Sequence, residues 1–213
     1  MKEVRFERKA TQDNDEIAEH TAQALRDMGI TCINIMGAPG SGKTTCIEGL
    51  AKYVDPSTIA VIQGDLESDI DKRRLSHSGI ETYQINTHSG CHLNAEMVAR
   101  ALDHLDLSGK HYVLIENVGN LVCPAGRKIG QHMDIVISSV TEGSDKPKKY
   151  PIIFLEAKLA VIAKTDLAEA VDFDEEQYME DIKSINPNII IIKTSKKNPG
   201  SYKQFAESIR EAS

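Results

Sequence analysis

Gly37-Ala38-Pro39-Gly40-Ser41-Gly42-Lys43-Thr44 fills the pattern G-x-x-x-x-G-K-[ST] at every fixed position. Before it stands the apolar run Thr31-Cys32-Ile33-Asn34-Ile35-Met36, which predicts a strand, and after it a helix is predicted over 43–53. Strand, glycine-rich loop and helix in that order form a phosphate cradle. The glycines let the backbone curl so that successive N–H groups converge on phosphate oxygens. The helix start adds its positive dipole end. Lys43 is suited to neutralise the β- and γ-phosphates, Thr44 to offer its hydroxyl to Mg²⁺, and Thr45 to continue the contact. A chance glycine-rich turn is the competing reading, and the flanking strand and helix argue against it.

Outward from this loop, short apolar runs alternate with helical stretches. Strands are predicted at Ile59–Ile62, Tyr112–Ile115, Ile135–Val140, Leu159–Ile162 and Ile189–Ile192. The last is continuously β-branched, which predicts burial on both faces. Further helices are expected near 68–76, 93–104, 174–184 and 202–211. Another, capped by Asp13 or Asn14, is expected from Asn14 to Met28, with Ile17, Ala18, Ala22, Ala24 and Leu25 as its apolar side. Residues 1–12 read as a loose arm. The alternation predicts an α/β, mostly parallel, doubly wound sheet with helices on both faces, the P-loop NTPase architecture. Ligands of such sheets sit at the carboxyl ends of the strands.

The 213 residues fit a single domain (1–213), at about 150 residues per domain. Apolar residues make up 40% and charged residues 27%, which suits a globular protein and argues against a disordered chain. With aromatics at 5% and no Trp, the core must be aliphatic. There are 25 basic and 32 acidic residues, a net charge of −7, which disfavours a nucleic-acid partner. No run approaches the ~20 apolar residues of a membrane span, and the first residues do not read as a signal peptide. A cytoplasmic location follows. Four scattered cysteines are then thiols, either buried or metal-binding.

A bound triphosphate needs carboxylates at neighbouring strand ends to hold Mg²⁺. Asp65 ends one strand and Glu116 another, and Gly119 follows Glu116 by three residues. Acidic-x-x-Gly is a switch arrangement in which the glycine N–H reaches the γ-phosphate. Asp69 or Asp71 is placed to position the attacking water, although Asp71, beside Lys72, Arg73 and Arg74, reads equally as part of a solvated face. Ala163-Lys164-Thr165-Asp166 is close to the guanine-reading N-K-x-D. Its Asp166 accepts from the guanine N1 and N2 hydrogens, and an adenine would leave that carboxylate unpaired, at a cost of about 1–3 kcal/mol. Ala163 stands where Asn is usual, so looser guanine binding is expected. Thr194-Ser195-Lys196-Lys197 is close to the S-A-K loop that closes such a pocket, with Lys197 at its lysine.

Cys91-His92 and Cys123 are not needed by a generic nucleotide switch. Soft thiolates with imidazole suit Zn²⁺ or Ni²⁺. One chain supplies two thiols and one imidazole, so a closed four-ligand site calls for a second copy across a two-fold axis. Cys123 follows the Glu116–Gly119 segment directly, so nucleotide state and metal affinity are expected to be coupled, reciprocally. Cys32 and Cys46 read instead as small core residues, and His20, His77, His104, His111 and His132 as surface or packing residues.

Taken together, G-A-P-G-S-G-K-T-T, G-D-L-x-x-D, G-C-H-L-N-A, L-I-E-N-V-G-N-L-V-C-P-A and V-T-E-G make the chain resemble the hydrogenase nickel-incorporation GTPases of the HypB family. The resemblance implies a SIMIBI-class GTPase that dimerises with GTP and hydrolyses it slowly to GDP. It implies Ni²⁺ or Zn²⁺ at Cys91, His92 and Cys123 near the dimer interface. It also implies work with a HypA-like zinc maturation protein to load nickel into the [NiFe]-hydrogenase large-subunit precursor. The basic loop of Lys146, Lys148 and Lys149 is then expected near the partner's nucleotide. The chain lacks the His-rich and C-x-x-C-G-C N-terminal sites of some members. The alternatives are a urease-type nickel GTPase, whose Cys-Pro-His motif is here Cys123-Pro124-Ala125, and a P-loop small-molecule kinase, which would not need the thiols. A metal-binding protein with an idle nucleotide loop is the third.

Overall fold

The computed structural model describes residues 3–65, 75, 77–87 and 90–212, of which residues 3–11 and Asp65 are described by their backbone alone. Strand β1 (Thr31–Met36) feeds the glycine loop and helix α2 (Lys43–Leu50). The other strands are β2 (Ile59–Asp65), β3 (Glu81–Asn86), β4 (Tyr112–Glu116), β5 (Met133–Ser139), β6 (Leu159–Ala163) and β7 (Ile190–Thr194). They form one sheet in the order β3-β2-β4-β1-β5-β6-β7, and every pairing is parallel. β1 lies between β4 and β5, where chain connections diverge to either side. The loop leaving its carboxyl end opens into the crevice where such sheets bind ligands.

Alternation along the strands splits the core. Ile33 and Ile35 of β1 point to one face, where they pack with Ile47 and Leu50 of α2 and Phe205 and Ile209 of α7 (Ser201–Ala212). Cys32 points to the other, against Leu25 of α1 (Glu3–Asp27) and Val98 and Ala101 of α3 (Ala95–Leu102). Beyond β5 that side is covered by α5 (Pro151–Leu155) and α6 (Glu175–Ile185), through Phe154, Tyr178 and Ile182. A four-residue helix, α4 (Lys146–Lys149), precedes α5.

Two expectations are corrected, and one strand was not foreseen. Helix α1 runs back to Glu3, through the residues read as an arm, and buries Ala18 and Leu25 while Ile17 and Ala24 face outward. β3 has no apolar run because it is an edge strand, paired only with β2 and nowhere fully buried. β7 is the opposite edge, with Ile190 40% exposed, so its β-branched run does not mark a strand covered on both faces. The helix expected near 68–76 falls almost wholly outside the described residues.

Helices α2 and α7 meet where α2 offers no side chain. A Cβ on Gly49 would lie 2.2 Å from a ring carbon of the buried Tyr202. Gly49→Ala is therefore expected to lower stability by about 1–3 kcal/mol through overpacking. Urea unfolding of the two proteins measures it, and an unchanged midpoint would show that the ring moves freely.

Candidate nucleotide and metal site

The glycine loop and the strand ends enclose a cavity of about 520 Å³. Lys43 lies over the loop with only 7% of its surface exposed, and its Nζ donates to the carbonyls of Gly37 (3.3 Å) and Ala38 (3.1 Å). These bonds hold the ammonium at the mouth of the curled backbone. Ser41 Oγ is buried without a hydrogen-bond partner among the described residues.

Behind the loop, Thr44 Oγ1 donates to Glu116 Oε1 at 2.6 Å, and Gln63 Nε2 donates to Glu116 Oε2 at 2.9 Å. Glu116 is 7% exposed and lines the cavity together with Thr44 and Gln63. Gln63 Oε1 is buried and unpartnered among the described residues. A hydroxyl, a carboxylate and a spare amide carbonyl make an all-oxygen donor set, which fits Mg²⁺ holding several of its waters. Asp65 ends β2 in register with Asn86, on the same edge of the sheet. Asp69 and Asp71 lie outside the described residues.

At the far end of the cavity, Lys164 adopts a left-handed backbone (φ 59) and donates from Nζ to Gly40 O at 2.7 Å. Asp166 accepts from Ser195 Oγ at 2.7 Å, with Lys197 Nζ 3.8 Å away. The serine hydroxyl, more than the lysine, holds its carboxyl below the usual range. Lys164 and Asp166 line the cavity, and so does Lys196, whereas Lys197 reaches Asp166 from outside it. Ala163 sits against Gly42, where a Cβ would be 3.6 Å away, and leaves no amide beside the loop. Lys149 pairs with Asp145 on a separate surface depression and does not line this chain's cavity.

The three soft donors meet. The donor atoms of Cys91, His92 and Cys123 lie within 4.8 Å of one another, with Cys91 Sγ 3.4 Å from His92 Nδ1. At metal–ligand lengths of about 2.0–2.3 Å the cradle needs to close by under an ångström to hold an ion. Burial, aided by the Arg127 guanidinium, lowers the His92 pKa and favours the neutral imidazole that ligates. The Cys123 thiol is raised, chiefly by its hydrogen bond with Cys91. Cys32 and Cys46 are fully buried, and burial pushes the Cys46 thiol up to about 12. His132 packs between Cys32 N–H and Ala22 O, and His104 stacks on Tyr83.

Short bonds join this cradle to the phosphate loop. Gly119 packs on Pro39 so tightly that a Cβ would fall 2.9 Å from its Cα and N. Asn120 N–H donates to Gly37 O (3.1 Å), and Asn120 Oδ1 accepts from Cys123 N–H (3.0 Å). Asn117, which lines the cavity, accepts from Leu93 N–H (3.1 Å), directly after Cys91-His92. Its Nδ2 donates to Asn34 Oδ1 (3.0 Å), and Asn34 Nδ2 to Asp134 Oδ1 (2.7 Å). Sequence reasoning missed Gln63, Asn117 and Asn120 as functional residues. The signal available was polarity inside or immediately after apolar runs.

A wholly parallel sheet with this loop at its centre defines a P-loop nucleotide-binding protein. The model of the CobW/HypB/UreG nucleotide-binding domain matches residues 31–193. The chain is 38% identical to the hydrogenase/urease maturation factor HypB of Helicobacter pylori over 99% of this chain and 88% of the relative. It is also 38% identical to the probable hydrogenase maturation factor HypB of Methanocaldococcus jannaschii, over 93% and 90%. Among solved structures, H. pylori HypB in complex with nickel superposes with a TM-score of 0.89 at 38% identity, covering 93% of this chain and 94% of that one. Archaeoglobus fulgidus HypB gives 0.87 at 39%, covering 94% and 98%. The signal recognition particle 54 kDa protein of Aeropyrum pernix, at 15% identity, shares the fold alone. The chain belongs to the CobW/HypB/UreG family and, within it, to the HypB maturation factors.

Proposed function

We propose that the chain is a single-domain GTPase that carries nickel, or zinc, as cargo and assists nickel insertion during [NiFe]-hydrogenase maturation. The observation that carries this reading is the chain of contacts from Gly37 and Pro39 through Gly119 and Asn120 to Cys123. Lys43 and the loop amides bind the triphosphate, and Lys164 and Asp166 select guanine. Thr44, Asp65 and Glu116 are the residues to hold Mg²⁺, which when bound neutralises charge on the β- and γ-phosphate oxygens. Water attacks the γ-phosphorus, and GDP and phosphate leave. Asp69 or Asp71 orients that water, and turnover is slow because no arginine finger is evident among the described residues. Loss of the γ-phosphate frees Gly119 N–H, shifts the 116–123 segment and reshapes the cradle.

One chain supplies three ligands, so a GTP-promoted homodimer completes the site, with Lys149 reaching toward the partner's nucleotide. Val122, 63% exposed beside Cys123, and the exposed Ile152, which packs by Gly126, give that face apolar surface that supports the pairing. A HypA-like zinc protein hands nickel on to the hydrogenase large-subunit precursor. The H. pylori relative's name includes urease, which favours a urease-type recipient as the second reading. Among the described residues no helix is long and apolar enough to cross a membrane, and a cytoplasmic site of action is part of the proposal.

The test is nickel and zinc titration of wild type and Cys91→Ala, with GDP and with a non-hydrolysable GTP analogue, while mass in solution is followed. The expected result is lost stoichiometry in the variant and a nucleotide-dependent affinity in wild type. Unchanged stoichiometry would remove the shared cradle, and identical affinities in both nucleotide states would remove the coupling.

A further inference from the structure

The cradle draws its donors from two loops, and among the described residues no backbone hydrogen bond joins residues 90–93 to residues 120–127. The direct link between them is the thiol contact of Cys91 with Cys123, so a scaffold that holds their backbones apart lies outside the loops. Asn14, on α1, bridges them with one amide. Its Oδ1 accepts from Ala95 N–H at 3.0 Å, three residues beyond His92, and its Nδ2 donates to Lys128 O at 2.9 Å, five residues beyond Cys123. Nδ2 also lies 3.4 Å from the carboxylate of Asp15.

The same helix grips the second loop at two more points. A Cβ on Gly130 would lie 2.7 Å from Thr21 Cγ2, and His132 Nε2 lies 2.8 Å from Ala22 O. On the inner side, Asn117 holds Leu93 N–H. The segment after Cys91-His92 is thus tied to two asparagines, one in the nucleotide cavity and one on the N-terminal helix.

We propose that Asn14 is a positioning residue for the metal cradle, the staple by which α1 sets the separation of the Cys91-His92 loop from the Cys123 loop. This rests on the reading of Cys91, His92 and Cys123 as a metal site. An amide is required because one side chain must both accept from an N–H and donate to a carbonyl. With the staple in place, a shift of residues 116–123 carries Cys91 and His92 along, and the donors approach or part as a set. Without it the Cys91-His92 loop keeps only its inner tie to Asn117, the separation of the two loops is loosened, and the response of nickel to nucleotide shrinks. Asn14 does not line the nucleotide cavity, so phosphate binding is independent of it.

The experiment is nickel(II) binding to the full chain by chelator competition and sulfur-to-nickel charge-transfer absorption, with GDP and with a non-hydrolysable GTP analogue. Wild type, Asn14→Ala, Asn14→Asp, Cys91→Ala and the control Gln23→Ala are compared. Asn14→Ala is expected to weaken nickel about ten- to a hundredfold, as outer-shell substitutions do, and to shrink the nucleotide dependence of nickel affinity. Affinity for the GTP analogue is expected to stay within about twofold of wild type, because no phosphate or base contact is lost. Asn14→Asp keeps the acceptor and loses the donor, so it is expected between wild type and Asn14→Ala. If Asn14→Ala fails to fold, the Asp variant decides alone. A lowered melting temperature with nickel affinity and absorption unchanged would make Asn14 merely structural and overturn the proposal. Equal nickel binding by wild type and Cys91→Ala would instead refute the metal site itself, and the staple with it. Gln23→Ala, on the same helix, is expected to match wild type, and a loss there equal to that of Asn14→Ala would overturn the assignment to this residue.

Discussion

Lys43→Ala is expected to leave a folded chain that no longer binds or hydrolyses GTP at useful concentrations. Whereas Lys164 reaches the loop at Gly40 O from the base end of the cavity, the Lys43 ammonium is nearly buried and held by two loop carbonyls. Against a triphosphate it makes charge-assisted bonds in a sheltered cavity, where truncating one partner costs about 2–5 kcal/mol, or roughly 30- to several-thousandfold in affinity. Circular dichroism checks the fold, fluorescent-nucleotide titration the affinity, and phosphate release the hydrolysis. Nickel affinity without nucleotide should be unchanged, because the described bonds of Lys43 run to the phosphate-loop carbonyls and not to the metal ligands, while the effect of added GTP on nickel should vanish. Wild-type phosphate release from the variant would refute the enzymatic use of the loop and favour a metal-binding protein with an idle nucleotide pocket.

The parts of the site that could be read from the sequence are those whose chemistry is contiguous. The glycine loop is one run of eight residues, and Glu116, Gly119 and Cys123 share another, so their spacing alone fixed their order in space. What could not be read depends on register between distant segments. Asn34 is fully buried in β1, opposite Ile115 of β4 and Asp134 of β5, and its amide is satisfied only because those strands flank it. A buried polar residue in an apolar strand demands a partner, but the sequence does not say which. Gln63 is the same case in β2, and Asn14 is an ordinary polar helix residue until α1 is laid beside both metal loops. β3 and β7 show the converse. Edge strands carry weak or misleading apolar signals because only one neighbour and part of a face cover them.

The polar line from Asn117 through Asn34 to Asp134 also bears on how the proposed switch would return. Asp134 is largely buried, its pKa raised by that burial and lowered in part by its bonds with Asn34 and Gln131. Gln131 in turn donates to Arg127 O, and Arg127 Nε donates to Cys123 O at 2.8 Å. In the proposed switch the strands would provide a fixed reference against which both cradle loops are displaced. Motion at Gly119 need not deform the sheet, only the bonds at Leu93, Asn120 and Arg127.

Cys123→Ala is expected to produce the largest loss of metal affinity, at least about a hundredfold for nickel and zinc alike, because one of only two soft thiolates in the cradle disappears. Cys123→Ser should recover little, since its hydroxyl is a hard donor that stays protonated. Cys123 is also the ligand tied most directly to the phosphate loop, its N–H held by Asn120, whose own N–H holds Gly37 O. Nickel that remains bound through Cys91 and His92 should therefore respond less to nucleotide than in wild type, a change that Cys91→Ala would not reproduce to the same degree. GTP affinity of the metal-free variants should match wild type, because Cys123 is not among the residues that line the cavity. Calorimetric titration in both nucleotide states measures all three quantities. Nickel affinity within about threefold of wild type would mean that the ion sits elsewhere, and the link between phosphate loop and metal cradle would then have no cargo to act on.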